Sequence, residues 1–374
     1  MGSFSFSTLK EDLAESDKLL LVSVILLSIV GIACIFSAGA GHVGRGGIHA
    51  QRQLTWLVIA CIAYVIVVAI GHEKLLDLAY PIYGFTLFLL LLTLLISPEV
   101  RGAQRLLPLG FIRFQPSEFA KISLVIVLTK FLTRYPPSSL KPFLGGLSVG
   151  FPAFLLVFMQ PDIGSGLVYV AIILSTLFAA GAPLKYFFSL AALGVAALPF
   201  AWYFLRDYQR MRLLVFMDPT RDPLGAGYNA IQSRIAVGSG SLWGRGFLQG
   251  SQSQLRFLPE PHTDFIFSVY AEEFGFFGAI LLLAAFGLLF ARIIAAGTKS
   301  RDIRGKIIVA GVAGWIWFQT FQSIGMCIGL MPITGIPLPF LSYGGSALLS
   351  LFIALGLLGS VYVNSTNRYK QSPL

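Results

Sequence analysis

Apolar stretches bounded by charges, glycine or proline recur along the whole chain, near residues 19–38, 54–71, 76–97, 116–133, 143–159, 165–181, 185–205, 265–296, 307–331 and 345–364. Most approach the ~20 residues that a helix needs to cross a bilayer. None alternates like a barrel strand, and only helices and closed barrels satisfy their own backbone in lipid. The pattern predicts an all-α, polytopic integral membrane protein of about ten transmembrane helices, in a single membrane domain over residues 1–374. Three connections are not short turns: 98–115, a long extracytoplasmic loop at 206–264, and a Pro/Gly-rich stretch at 332–344, expected to be re-entrant. No internal repeat is visible, which weakens an inverted-repeat transporter reading.

Composition sharpens this picture. Apolar residues make up 56% of the 374 and charged residues 12%, against roughly 25% charged in soluble domains, which excludes a soluble or disordered chain. The net charge of +10 reads as loop charge that orients the chain in a bilayer, with no nucleic-acid partner. The first apolar run is too long for a signal-peptide core and reads as an uncleaved span. Cys34, Cys61 and Cys327 lie within apolar runs and imply no disulfide framework, and the four histidines lack metal-ligand spacing.

An even number of spans puts both termini on one side. That side carries fourteen Lys and Arg residues and the short loops opposite carry five, so both termini are expected to be cytoplasmic. All twelve basic residues of the outer loops are Arg, whereas most of the cytoplasmic set is Lys. Guanidinium groups grip phosphate at two points. The outer arginines therefore suit either a phosphate-bearing ligand or ordinary headgroup contact.

Several polar constellations interrupt the apolar pattern. In Arg113-Phe114-Gln115-Pro116-Ser117-Glu118-Phe119-Ala120-Lys121, Glu118 and Lys121 share a helix face, as an interfacial ion pair or as intramembrane functional groups. Asp162, in the turn Gln160-Pro161-Asp162, reads first as a cap. Asp264 follows Pro259-Glu260-Pro261 at the membrane boundary, where a carboxylate is an N-cap or a general base. Glu272 and Glu273 are expected about 12 Å deeper on the same helix, a run long enough that Gly275 and Gly278 suggest a bend. The uncharged stretch from Met331 to Ser346 is either a cavity lining whose Gly344-Gly345-Ser346 end cradles an anion, or a packed turn.

Taken together, Gly102-Ala103-Gln104-Arg105, Gln115-Pro116-Ser117-Glu118 with Lys121, Gln160-Pro161-Asp162, Thr263-Asp264-Phe265-Ile266-Phe267 with Glu272-Glu273, and Thr334-Gly335-Ile336-Pro337-Leu338-Pro339 with Ser342-Tyr343-Gly344-Gly345 resemble the SEDS family of bacterial cell-wall proteins, on its elongation side. Ser323 departs from the pattern, where the family usually has Asn. The resemblance implies a peptidoglycan glycosyltransferase that polymerises lipid II at the outer face of the bacterial cytoplasmic (inner) membrane during elongation. It implies as partners lipid II, a lipid-linked nascent glycan, a class B penicillin-binding protein and other elongation-complex membrane proteins. A divalent cation, Mg or Mn, is implied without a site. By motif position Asp264 becomes the catalytic carboxylate, expected to act as general base on the acceptor 4-hydroxyl. Arg113, Gln115, Glu118, Lys121 and Asp162 support it, and Arg52, Arg105, Arg245, Glu272, Glu273, Thr334 and Ser342 are further candidates for substrate binding. A lipid II flippase is the alternative and would depend more on Glu272 and Glu273 than on Asp264. A scaffold would need neither.

Overall fold

The computed structural model describes residues 16–40, 45–97, 106–109, 112–205, 207–225 and 227–371. Helices occupy all ten expected positions. In chain order they are α1 (Lys18–Ala40), α2 (Arg45–Ile70), the short α3 (His72–Asp77), α4 (Ala79–Ile96), α5 (Pro116–Arg134), α6 (Leu140–Met159), α7 (Ile163–Ala179) and α8 (Leu184–Phe204). After the long loop come α12 (Ile266–Lys299), α13 (Ile303–Ile328) and α14 (Gly345–Gln371). Seven of these are long and apolar enough to cross a membrane; α5 and the shorter apolar α7 and α8 complete the set.

The connections hold more structure than their composition suggests. A small antiparallel hairpin, β1 (Leu107–Leu109) and β2 (Ile112–Phe114), leads into α5. The long loop folds into α9 (Asp207–Met217), a 3₁₀ turn at Pro219–Arg221, α10 (Tyr228–Ser239) and α11 (Ser251–Gln254).

Burial separates a central helix from peripheral ones. Most of α5 is buried on every side, including Ser117, Glu118, Lys121 and Ser123, as expected of a helix at the heart of a bundle. Pro116 at its first position fits the helix start. Peripheral α8 exposes Phe188, Leu193, Val195, Leu198 and Phe200, as a lipid-facing surface does.

The 34-residue α12 is broken at Gly275, whose φ of 65° and ψ of −163° are non-helical. Loop backbone enters the break. Arg245 N donates to Glu272 O at 2.9 Å and Gly246 N to Glu273 O at 3.0 Å, while Phe276 N and Phe277 N donate to Ser241 O and Leu242 O at 2.9 and 3.2 Å. Groups freed from the helix ladder thus find partners.

A contact with α1 fixes the level of Glu272 and Glu273. Ser37 on α1 donates to Glu273 Oε1, and Asp17, before α1, pairs with Arg292 at 2.6 Å. Twenty residues of helix between Asp17 and Ser37 span about 30 Å, the full hydrocarbon thickness. The two acids therefore stand level with the end of α1 far from Asp17, and the helix between Asp264 and them is regular, since the break comes only after them. A Cβ at Gly275 would come within 2.2 Å of Gly244 N, and positive φ itself costs a side chain about 1–3 kcal/mol. Gly275→Ala is expected to lower the melting temperature of the purified protein measurably in a thermal-shift assay; an unchanged value would contradict this wedge.

Candidate active site

The re-entrant stretch 332–344 lies in the bundle as a ledge of irregular backbone whose polar groups are met by neutral side chains. Gln319 Nε2 donates to Pro337 O at 2.8 Å, and Gln322 Nε2 to Pro332 O at 2.9 Å and Thr334 Oγ1 at 3.2 Å. From α2, Gln53 Nε2 donates to Ser342 O at 3.2 Å and its Oε1 accepts from Gly344 N at 3.1 Å. Each glutamine offers donor and acceptor without burying a charge, which suits a membrane interior.

This clamp decides between the two readings of the Gly344-Gly345-Ser346 end. Gly344 N is held by Gln53, Ser346 Oγ accepts from Gln115 N at 3.3 Å, and a Cβ at Gly345 would lie 2.3 Å from the Trp56 ring. The start of α14 is a packed turn covered by Trp56, not an open anion cradle.

The ledge is fastened to the segment carrying Asp264. Ser342 Oγ accepts from Leu338 N at 2.8 Å and donates to Thr263 O at 2.6 Å, and Tyr343 N donates to His262 O at 2.9 Å. The rings of His49 and His262 stack at 4.7 Å, with Tyr343 edge-on to His49 at 5.0 Å. The N-cap of α12 is Phe265, with no side-chain cap, so the cap position is not Asp264's. The half-buried Asp264 carboxylate faces Gly335, where a Cβ would stand 3.2 Å from Oδ2. Gly335 has a φ of 69°, so absence of a side chain serves both the turn and the approach. Ser342 and Thr334 thus have buried hydroxyls engaged in holding the ledge.

Beneath the ledge, Lys121 Nζ pairs with Glu118 Oε1 at 2.7 Å, both side chains almost wholly buried. Lys121 also donates to Gln319 Oε1 at 3.4 Å and lies 5.1 Å from the centre of the Trp315 ring, whose Nε1 donates to the same Gln319 oxygen at 2.7 Å. Ser350 Oγ donates to Glu118 Oε2 at 3.3 Å. The pair therefore braces α5, α13, α14 and the ledge together. Gln115 Nε2 donates to Ser117 Oγ at 3.2 Å at the start of α5. Asp162 acts as the cap that its turn suggested, accepting from Ser165 N at 3.1 Å and Ser165 Oγ at 2.9 Å. A Cβ at the adjoining Gly164 would meet Ile336 and Thr334 of the ledge.

Other candidates lie apart from this cluster. Glu272 Oε1 accepts from Ser251 Oγ at 3.1 Å and Gln252 N at 3.0 Å, and Glu273 Oε1 accepts from Leu248 N at 3.2 Å, so both acids hold the long loop that precedes α12. Arg245 braces that loop too, donating to Ser239 O at 3.3 Å and Ser251 Oγ at 3.0 Å. Arg52 is exposed near the start of α2. Arg105 lies outside the described residues, and Arg113 is described only as backbone of β2. The sequence pattern does not single out Gln53, Gln319 and Gln322; the available signal was two amides inside the apolar run 307–331 and one just before the run 54–71. Loss of one partner of a buried ion pair costs about 3–5 kcal/mol. Glu118→Gln and Lys121→Met are each expected to lower the thermal stability of the purified protein strongly, and their combination to recover part of the loss. Additive losses in the double variant would argue against the brace.

A family model described as cell cycle protein, for FtsW, RodA and SpoVE, matches residues 17–367. The peptidoglycan glycosyltransferase MrdB of Escherichia coli K12 is 37% identical over 355 residues, covering 94% of this chain and 95% of its own. The peptidoglycan glycosyltransferase RodA of Treponema pallidum is 32% identical, covering 93% and 98%. Among solved structures, a chain from a work on structural coordination of polymerization and crosslinking by a peptidoglycan synthase complex superposes with a TM-score of 0.81 at 32% identity, covering 95% of this chain and 99% of that one. The rod shape determining protein RodA of Thermus thermophilus superposes with a TM-score of 0.71 at 29% identity, covering 95% and 98%. The chain belongs to the FtsW, RodA and SpoVE family of cell cycle proteins.

Proposed function

We propose that this chain is a peptidoglycan glycosyltransferase that polymerises lipid II at the outer face of the bacterial cytoplasmic membrane during cell elongation, with Asp264 as general base. The observation that carries the reading is the fastening of the Asp264 segment to an uncharged ledge whose backbone is clamped by Gln53, Gln319 and Gln322. The names of the similar glycosyltransferases support it.

In this mechanism the Asp264 carboxylate takes the proton of the acceptor sugar's 4-hydroxyl. The hydroxyl oxygen attacks the anomeric carbon of the growing lipid-linked strand, and the bond to the lipid pyrophosphate breaks with its electron pair leaving on phosphate oxygen. Glu118 pairs with Lys121 and Asp162 caps the start of α7, so both have structural work beside the Asp264 segment. The ledge holds that carboxylate against Gly335, so that little reorganisation is needed at the moment of reaction.

A divalent cation remains part of the proposal through the substrate, since pyrophosphate oxygens bind magnesium well. Among the described residues no group of three or more His, Cys, Asp or Glu side chains could hold a metal, and no step is routed through one. The class B penicillin-binding protein is proposed as partner, supported by the synthase-complex description of one similar structure. The Lys and Arg distribution supports cytoplasmic termini. A flippase built on deep acids finds less support, because Glu272 and Glu273 hold the outer loop.

General-base catalysis contributes about 10²- to 10⁴-fold. Purified Asp264→Asn protein is expected to lose at least about a hundredfold in polymerisation of lipid II, read as glycan strands on a gel, while remaining folded. Polymerisation at near wild-type rate would remove Asp264 from the reaction.

A further inference from the structure

Two arginines of the long loop come together at one cleft. Arg212 of α9 and Arg234 of α10 line one open cleft between the folded outer loop, the outer end of α13 and the beginning of the ledge. Arg212 and Phe216 are four apart on α9, and Ala230 and Arg234 four apart on α10, so each helix turns one face to the cleft. The remaining surface is apolar, from Met326, Met331 and Ile333. Two arginines bordering a small, mainly apolar cleft suit the edge of a site for a ligand with an anionic head and a hydrocarbon tail.

The position of Arg234 is built into the fold. A Cβ at Gly329 would lie 2.2 Å from Arg234 Nε and 2.4 Å from its Nη2, so only glycine there leaves room for the guanidinium plane. Among the described residues no carboxylate pairs with Arg234. The cleft also adjoins the proposed base. Cys327, two residues before Gly329, places its Sγ 3.8 Å from Asp264 O, and its carbonyl accepts from Ser233, the neighbour of Arg234, at 2.9 Å. The ledge runs from Met331 and Ile333 to Gly335, against which the Asp264 carboxylate rests.

We propose that Arg212 and Arg234 form a subsite for the pyrophosphate of a polyprenyl-linked sugar, with the first part of the lipid chain lying on the apolar lining. This rests on the glycosyltransferase reading for its biological ligand, but the chemistry of the site can be tested without turnover. The same headgroup is carried by the acceptor lipid II and by the growing strand, and the two sources differ in what loss of the grip changes.

The binding experiment uses the full chain in nanodiscs, titrated with farnesyl pyrophosphate, with farnesol and inorganic pyrophosphate as comparisons. Wild-type protein should bind farnesyl pyrophosphate more tightly than either comparison. Arg212→Gln and Arg234→Gln should each weaken that binding about tenfold or more, a loss typical of a charge-assisted contact, while Asp264→Asn leaves it unchanged. Arg234 also stands at the C-terminal end of α13, where a cation favours the helix dipole. Arg234→Lys keeps that charge and loses the two-point grip, so weakened binding by this variant at unchanged melting temperature supports the subsite. In polymerisation assays, a raised KM for lipid II in the arginine variants assigns the grip to the acceptor, and shorter strands at unchanged KM assign it to the growing chain. Equal affinity for farnesyl pyrophosphate in wild type, Arg212→Gln and Arg234→Lys would overturn the proposal and leave the role of Asp264 untouched.

Discussion

Irregular backbone inside a membrane must find all its hydrogen bonds within the protein, and the structure turns on how this chain meets that demand. An unsatisfied amide in an apolar medium costs several kcal/mol, so the Pro/Gly-rich ledge depends on its partners. Gln53 supplies them from α2, and Gln319 and Gln322 from neighbouring turns of α13. Proline reduces the demand, because Pro332, Pro337 and Pro339 carry no N–H. Once fixed, the ledge fixes the Asp264 segment through Ser342 and Tyr343. A surface carboxylate thereby becomes a positioned one.

A second constraint acts from above. The break at Gly275 opens α12 to the loop that crosses it, and Glu272 and Glu273 receive donors from that loop and from α1. The loop is therefore integral to the bundle, which gives α9 and α10 a defined place beside the ledge. The buried Glu118–Lys121 pair plays the matching role beneath, where Trp315 and Gln319 tie it to the same backbone. Charge thus serves internal bracing here, whereas the ledge beside Asp264 is held largely by neutral amides.

Much of this was legible in the sequence, and physics explains the rest. The ten helical positions follow from hydrophobic length alone, because lipid permits so few backbone solutions. The Asp162 cap follows from local turn chemistry. The level of Glu272 and Glu273 relative to the other helices depends on Ser37, more than two hundred residues away in sequence, which no local pattern reveals. The glutamine clamp was hidden for a similar reason, since an amide in an apolar run shows that a partner exists without showing which one. The pairing of Arg212 with Arg234 arises only when the long loop folds back on the end of α13.

The central claim is that the ledge holds Asp264 where the acceptor sugar reacts. The most direct measurement is the structure of the Asp264→Asn protein with a lipid-linked acceptor bound, read as the distance from residue 264 to the sugar's 4-hydroxyl. The account predicts hydrogen-bond contact, about 2.6–3.2 Å between heavy atoms. A 4-hydroxyl lying nearer to Glu118 or Asp162 than to residue 264 would contradict it.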